Sequence, residues 1–154
     1  MKNTVNNEEQ TKKLVNNFSK VIDLPLIIGF KGDLGVGKTF FVRNLVRTYK
    51  SGERVKSPTF SLIEEYCFRD VNIYHIDLYR IKENESEYLD IRSYYSNNSL
   101  ILIEWIENDQ NIMRKTDIII NINILNQENS REFNFTGNTK SGKNILKKLN
   151  YAAN

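Results

Sequence analysis

The feature that most constrains this chain is a glycine-rich octapeptide, Gly32-Asp33-Leu34-Gly35-Val36-Gly37-Lys38-Thr39. It fits the pattern of glycine, any four residues, glycine, lysine, then serine or threonine, which is typical of phosphate-binding loops. Four of the chain's seven glycines fall between positions 29 and 37. Because glycine adopts positive φ angles readily, such a loop can turn several backbone N–H groups toward one anion.

The sequence on either side of this phosphate loop (residues 32–39) supports the same interpretation. Residues 26–30 form a short apolar run that predicts a buried strand. Residues 40–49 carry apolar side chains at helical spacing. Strand, glycine loop and helix is the order that the motif requires, and the N-terminus of the helix adds free N–H groups and a favourable dipole. An ordinary glycine-rich turn is the alternative, and these flanks disfavour it.

The composition is that of an ordinary globular protein. With 154 residues, 40% hydrophobic and 27% charged, the chain predicts one domain, residues 1–154, with a sizeable core. No apolar run has the length of a membrane span, and residues 1–10 are polar, without an apolar signal segment. The single cysteine, Cys67, lies in an alternating run, which predicts a small buried side chain; one cysteine allows no internal disulfide and suits a reducing cytoplasm.

The net charge of +3 is too small to indicate nucleic-acid binding by itself. Four lysines gather near the C-terminus, and we interpret them as a solvated helix face, with an RNA contact as the alternative. These lysines are Lys140, Lys143, Lys147 and Lys148.

Hydrophobic periodicity predicts alternating strands and helices along the rest of the chain. Helices are expected at residues 8–20, 40–49 and 144–151, with short helices within 78–95; strands are expected at 26–30, 61–68, 71–76, 99–103, 117–125 and 131–136. Strands 61–68 and 71–76 read as a hairpin. The predicted fold class is therefore α/β, with a mixed central sheet, helices on both of its faces and three layers, similar to P-loop nucleotide hydrolases.

Two predicted strands run directly into an acidic residue. Asp77 follows residues 72–76, and Glu104 follows the apolar run 100–103. Ligands of open α/β sheets sit outside the carboxyl ends of the strands, so both acids would reach the loop if both strands run parallel to 26–30. Thr39 would then offer its hydroxyl to Mg²⁺, one acid would bind the ion, and the other could orient an attacking water. Capping of a nearby helix is the alternative role for either acid.

The segment Ser57-Pro58-Thr59-Phe60 lies between the predicted loop helix and the next strand. Nucleotide hydrolases place a mobile segment at this point, and a threonine of that segment senses the γ-phosphate. Pro58 restricts its own φ and biases Ser57 toward extended geometry. A plain turn fits the tetrapeptide equally well.

These segments together resemble one family. Four segments come in the order and spacing of TsaE, also called YjeE. They are the phosphate loop, Ser57-Pro58-Thr59-Phe60, the run from Tyr74 to Arg80 (Tyr-His-Ile-Asp-Leu-Tyr-Arg) and Ile103-Glu104-Trp105. That family comprises the small ATPases of bacterial tRNA threonylcarbamoyladenosine synthesis. The resemblance extends from about residue 8 to residue 135, and the combination of the Asp-Leu-Tyr-Arg and Glu-Trp segments is far more specific than the phosphate loop alone.

The resemblance implies a role for each matching residue. Lys38 would bind the β- and γ-phosphate oxygens, Thr39 and Glu104 would hold Mg²⁺, Asp77 would support hydrolysis, and Thr59 would lie in the switch-like segment. The remaining nucleotide contacts would come from Glu9, Gly35, Val36, Gly37, Phe40 and Arg131, with Glu9 and Arg131 nearer the base and ribose. Trp105 would lie close to the site, and a core position is the alternative.

The resemblance also implies the activity and its setting. The chain would be a cytoplasmic, Mg²⁺-dependent ATPase that hydrolyses ATP slowly alone, binds the TsaD–TsaB pair and supports its turnover, with tRNA contacted through that complex. The family often has a leucine-glycine pair where this chain has Leu89-Asp90-Ile91. Position 40 is Phe instead of a small or hydroxylated residue, and we expect it to pack inward.

Three other functions are alternatives to this one. A small-molecule kinase needs an arginine-rich lid over its acceptor, and the arginines of this chain are scattered. A GTPase switch is disfavoured because the chain has no Asn-Lys-x-Asp segment. A passive nucleotide-binding scaffold has less need of two carboxylates. We interpret the single histidine, His75, as a structural residue of its strand; a catalytic base is the alternative.

Overall fold

Seven strands form one mixed sheet in the computed structural model, which describes residues 1–81, 90–125 and 130–152. The strands are β1 (Lys2–Val5), β2 (Leu26–Lys31), β3 (Ile63–Cys67), β4 (Asn72–Asp77), β5 (Ser99–Glu104), β6 (Ile118–Ile124) and β7 (Arg131–Gly137). The helices are α1 (Glu8–Ser19), α2 (Lys38–Tyr49), α3 (Gln110–Met113) and α4 (Lys140–Ala152), with 3₁₀ helices at Ile91–Tyr94 and Ile106–Asn108. The predicted α/β class with a mixed sheet is confirmed.

Four parallel strands form the centre of the sheet. The strand order is β1-β7-β6-β2-β5-β4-β3, in which β6, β2, β5 and β4 run in parallel. The edges are antiparallel, since β3 pairs with β4 at one end and β7 and β1 complete the other. The predicted hairpin is confirmed by the pairing of β3 with β4, which sets Ile63 opposite Ile76. Every residue of β5 is buried, as expected for a strand covered on both faces.

The two faces of the sheet are covered unequally. Alternate residues of β2, beginning with Leu26 and Ile28, join the larger core, to which α1, α2 and α4 contribute. The opposite face carries a smaller cluster around Ile101, Ile103 and Ile106, closed by the short helices near residues 91–94 and 106–113. Helices therefore lie on both faces, as predicted, although the long ones all share one face. No helix within the described ranges has the length and apolar composition needed to cross a bilayer.

The structure corrects three details of the sequence-based prediction. Strand β1 was not predicted, because four largely polar residues with only Val5 buried give too little alternation to be recognised. Helix α4 begins at Lys140 rather than at residue 144. The prediction placed its start too late because Gly142 is a poor helix former. A glycine is required at that position because a Cβ would lie 2.0 Å from the Asp117 carbonyl oxygen. Cys67, predicted to be buried, is exposed because it ends the edge strand β3 and Tyr66 takes the inward position.

Short helices were predicted within residues 78–95. The helix at Ile91–Tyr94 confirms one of them. Residues 82–89 lie outside the described part of the chain, and with them Leu89 of the segment where the family pattern has leucine-glycine.

A close approach at Gly29 joins β2 to the chain that leaves β5. A Cβ at Gly29 would stand 2.8 Å from Cγ1 of Ile106, which is fully buried. Ile106 follows Trp105, whose φ of 58° turns the chain sharply after Glu104. A positive φ is rare for so bulky a residue. The missing side chain at Gly29 therefore lets Ile106 seat against β2 and fixes the path of this turn.

Introducing a side chain at this contact is expected to destabilise the protein. Gly29→Ala forces Ile106 to shift and should lower the free energy of unfolding by about 1–3 kcal/mol, as overpacking of a core does. Ile106→Ala removes Cγ1, the nearest obstructing atom, together with Cγ2, and keeps Cβ at 3.0 Å; it carries a cavity cost of its own. Urea unfolding of both single variants and the double variant should show that the double variant is more stable than the sum of the single effects predicts. Additive effects would show that the two residues do not compete for this space.

Candidate functional site

The phosphate loop has the backbone geometry of an anion site. Gly32, Gly35 and Gly37 have φ angles of 130°, 78° and 110°. Gly37 is the N-cap residue of α2, whose N-terminus has no side-chain cap and no acidic residue in its first turn. The first N–H groups of this twelve-residue helix therefore remain for an anion held in the loop.

The first glycine of the loop is required by a neighbouring strand. A Cβ at Gly32 would lie 2.3 Å from the carbonyl oxygen of Ile122 in β6. On the same side, Arg131 donates from Nε to the carbonyl oxygen of Val36 at 3.2 Å. Residues from β6 and β7 thus support the loop that joins β2 to α2. This contact places Arg131 beside the loop, and its role near the base or ribose stays a prediction.

The Lys38 side chain is folded back into the loop. Its Nζ donates to the carbonyl oxygens of Gly32 and Asp33, at 2.5 and 2.9 Å, and lies 3.6 Å from the ring centre of Trp105. The residue is only 5% exposed. Burial lowers the pKa of Lys38 from its ordinary value, while four carboxylates act in the opposite direction. These are Glu104, Glu107, Asp77 and Asp33.

The carboxylate of Glu104 joins β5 to α2. Both of its oxygens accept from the Thr39 hydroxyl, at 2.8 and 2.9 Å. Its Oε1 also lies 2.7 Å from Nε2 of His75, and Glu104 is 2% exposed. Thr39 and Glu104 thus lie as close together as two ligands of one hard cation would, which is the arrangement predicted for them.

The second acid, Asp77, gathers the segment that contains Thr59. Its Oδ2 accepts from the hydroxyls of Thr59 and Ser57, at 2.8 and 3.2 Å, and its Oδ1 accepts from the Tyr79 N–H at 2.9 Å. Asp77 therefore holds residues 57–59 against the end of β4 in addition to closing its own turn. Thr59 therefore lies at the acidic end of β4, and Asp77 caps none of the helices that the structure describes.

Sheet register brings these groups to one place. Phe30 lies opposite Glu104, and Glu104 lies opposite Asp77, so the ends of three parallel strands are level. Side chains two residues apart along a strand share a face. His75, Asp77 and Glu104 consequently point to the face that α2 covers, as Ile73 and Leu102 do. The condition set from the sequence, that both strands run parallel to β2, is confirmed.

Residues just after β5 complete the site. Trp105 is half-buried between Lys38 and the ring of Tyr79, whose centre is 4.9 Å away, and it also packs against the smaller core cluster, so it borders both the site and the core. Glu107 accepts from the Gly32 N–H through Oε1 at 3.2 Å. Sequence reasoning missed Glu107 because its only signal is its position three residues after Glu104. It also left Ser57 without a role, although its spacing from Thr59 was visible.

The other two predicted nucleotide contacts are Glu9 and Phe40. Glu9 is exposed in the first turn of α1, where its carboxylate is 3.9 Å from Lys12. Phe40 is half-buried and does not pack fully inward as expected, because Phe41 takes the core position of that turn. Both contacts stay predictions.

The Thr39 hydroxyl and the Glu104 carboxylate are too few donors to hold a metal ion by themselves, and they fit Mg²⁺, which takes most of its ligands from water and phosphate. No group of three or more His, Cys, Asp or Glu side chains within the described ranges is arranged to hold an ion. Mg²⁺ commonly takes one or two protein oxygens and completes its shell with water and phosphates. Thr39 and Glu104, beside an anion-binding loop, match that demand.

Comparison with known proteins gives a consistent result. Residues 5–133 match the model of a family described as threonylcarbamoyl adenosine biosynthesis protein TsaE. The chain is 38% identical over 122 residues to the tRNA threonylcarbamoyladenosine biosynthesis protein TsaE of Haemophilus influenzae, covering 79% of this chain and 76% of that one. A protein of the same name from Rickettsia felis is 40% identical over 129 residues, covering 82% and 74%.

A solved structure shares the fold. The crystal structure of Bacillus subtilis YdiB superposes with a TM-score of 0.82 at 24% identity, covering 100% of this chain and 96% of that one. At this level of identity, the similarity concerns the fold alone.

The buried Lys38 should make stability depend on pH in a defined direction. Because burial lowers its pKa in the folded state, the unfolded chain binds this proton more tightly. The stability of the wild type relative to Lys38→Met should therefore rise as pH increases toward the ordinary lysine value of 10.5 and level off above it. Urea unfolding of both proteins at matched pH values measures the difference. A difference that falls with pH would mean that the carboxylates outweigh burial.

Proposed function

Because this chain belongs to the TsaE family of threonylcarbamoyl adenosine biosynthesis proteins, we propose that it is the Mg²⁺-dependent ATPase of that pathway in its own cell. One observation carries the proposal. The Thr39 hydroxyl, at the start of α2, meets the Glu104 carboxylate at 2.8 Å, beside a phosphate loop whose lysine is buried. A hydroxyl, a carboxylate and an anion-binding loop are the protein's share of a Mg²⁺–nucleotide site.

The residues divide the work as follows. The loop N–H groups and the N-terminus of α2 bind the phosphates, and Lys38, which already lies within the loop, turns toward them. Thr39 and Glu104 hold Mg²⁺, which when bound neutralises charge that develops on the phosphate oxygens. Asp77 lies level with Glu104 on the neighbouring strand and is suited to orient the attacking water. Thr59, bonded to Asp77, couples residues 57–59 to that position.

The same proposal covers the setting of the reaction. The protein acts in the cytoplasm, hydrolyses ATP slowly alone and binds the TsaD–TsaB pair, with tRNA reached through that complex. Exposed aromatic and apolar side chains at or beside the site support a function completed by a partner. These are Leu34, Phe60 and Tyr79, which are 76%, 89% and 50% exposed. Coupling requires that the partner pair bind the ATP and ADP states with different affinity.

Two isosteric substitutions should separate binding from hydrolysis. Glu104→Gln removes the charge beside Thr39, and we expect Mg²⁺-dependent nucleotide binding to weaken. Asp77→Asn leaves the phosphate loop intact and should keep ATP binding while lowering hydrolysis by roughly 100-fold or more. Calorimetric binding and phosphate release measure the two quantities. Asp70→Asn, an exposed acid in the β3–β4 turn, is the matched control and should behave as the wild type.

Other outcomes would redirect the assignment. Normal turnover in Asp77→Asn would reduce that residue to a support of residues 57–59. Undiminished ATP binding in Lys38→Ala would count against the phosphate loop itself. Phosphoryl transfer to a nucleoside or sugar, in place of phosphate release, would favour a small-molecule kinase.

Association with the partner pair is testable directly. TsaD and TsaB from the same organism should retain the wild type on an affinity column in the presence of ATP and Mg²⁺, and should raise its hydrolysis rate. Phe60→Ser, which removes an exposed ring that lies outside the phosphate loop, should weaken retention. Absence of retention under all nucleotide conditions would contradict the proposed assembly.

A further inference from the structure

His75 is a buried polar residue that the proposed reaction leaves unused. It is the only histidine in the chain, lies in β4 and is completely buried. Its Nε2 is 2.7 Å from Oε1 of Glu104, while its Nδ1 is buried without a hydrogen-bond partner among the described residues. A histidine that only filled space in the core would not need to meet the acid beside the phosphate loop.

The contact defines which ring nitrogen carries the proton. An ionised carboxylate only accepts hydrogen bonds, so Nε2 of His75 must donate to Glu104. The contact therefore assigns the donor role to Nε2, while Nδ1 has no hydrogen-bond partner among the described residues.

Sheet register explains why His75 reaches this carboxylate. His75 lies opposite Leu102, and Asp77 lies opposite Glu104, so His75 and Glu104 are diagonal neighbours on one face of adjacent strands. Thr39 approaches the same carboxylate from α2. Oε1 accepts from both His75 and Thr39, whereas Oε2 accepts from Thr39 alone among the described residues.

We propose that His75 is a positioning residue for the metal-binding acid, an inference that rests on the proposed function. Its Nε2–H holds Oε1 of Glu104 and so presents Oε2, next to the Thr39 hydroxyl, to the divalent cation. Hydrogen-bonded partners of this kind orient metal-binding carboxylates, and their loss commonly weakens metal affinity by roughly 10- to 100-fold. His75 contacts neither nucleotide nor water in this role.

Three substitutions distinguish positioning from packing. His75→Gln can place an amide N–H near the position of Nε2, His75→Asn places it near Nδ1, and His75→Leu has no donor. The readout is the Mg²⁺ concentration needed for half-maximal ADP binding, measured by calorimetry at fixed ADP. We expect that concentration to rise roughly 10- to 100-fold in His75→Asn and His75→Leu, and to recover largely in His75→Gln. Thermal unfolding of each variant identifies any that fails to fold.

The wild-type protein provides a second measurement that needs no variant and no nucleotide. With a single histidine, a long-range ¹H–¹⁵N correlation spectrum of the labelled protein contains one native imidazole pattern. We expect a proton on Nε2. A ring that carries its proton on Nδ1 alone would overturn the proposal, whatever the variants do, because Nε2 could then not donate to Glu104.

The outcomes separate this inference from the proposed function. If wild-type nucleotide binding does not depend on Mg²⁺, the proposed function fails, and the positioning role fails with it. If the wild type depends on Mg²⁺ and folded His75→Leu and His75→Asn variants have the same dependence, only the positioning role is overturned. Equal loss in His75→Gln and His75→Asn would likewise overturn it, because the donor position would then not matter.

Discussion

A carboxylate removed from water must be hydrogen-bonded, and Glu104 shows how this chain meets that demand. Thr39 donates to it from helix α2, and His75 lies against it from the adjacent strand β4. The three groups come from segments that are distant in the sequence. They meet because β4 and β5 run parallel and end at the same level. A slip of β4 against β5 by one residue would turn one of the two acids to the opposite face of the sheet, away from α2.

A second junction connects the end of β5 to the unit formed by β2, the phosphate loop and α2. Four consecutive residues, from the last residue of β5 onward, each contact a different part of that unit. The contacts are Glu104 with Thr39, Trp105 with Lys38, Ile106 with Gly29, and Glu107 with Gly32. The positive φ of Trp105 makes this sequence of contacts possible, since it turns the chain back toward β2. Such strain persists only where the surrounding packing fixes it.

Most of the fold could be predicted from the sequence where the periodic signal was long. The strand 26–30 is predicted by its continuous apolar run. The helices predicted to begin at residues 8 and 40 have apolar positions that repeat over several turns. Strand β1 was missed because its stability comes from pairing with β7, and three polar residues followed by one valine carry no recognisable pattern. The exposure of Cys67 depended on β3 being an edge strand, and strand order is a property of the whole sheet.

For the site, the sequence by itself determined the chemistry: a phosphate loop with Lys38 and Thr39, and two strands that end in Asp77 and Glu104. These follow from residue type and local spacing, which one continuous segment is enough to express. Only the tertiary structure decided that His75 meets Glu104 and that Glu107 supports the loop. His75 and Glu104 are separated by 29 positions in the sequence, and Gly32 and Glu107 by 75 positions, so no local pattern specifies either contact. The parallel register of β4 and β5 and the turn at Trp105 bring these residues together. Both depend on how the whole sheet is assembled, which a local segment does not encode.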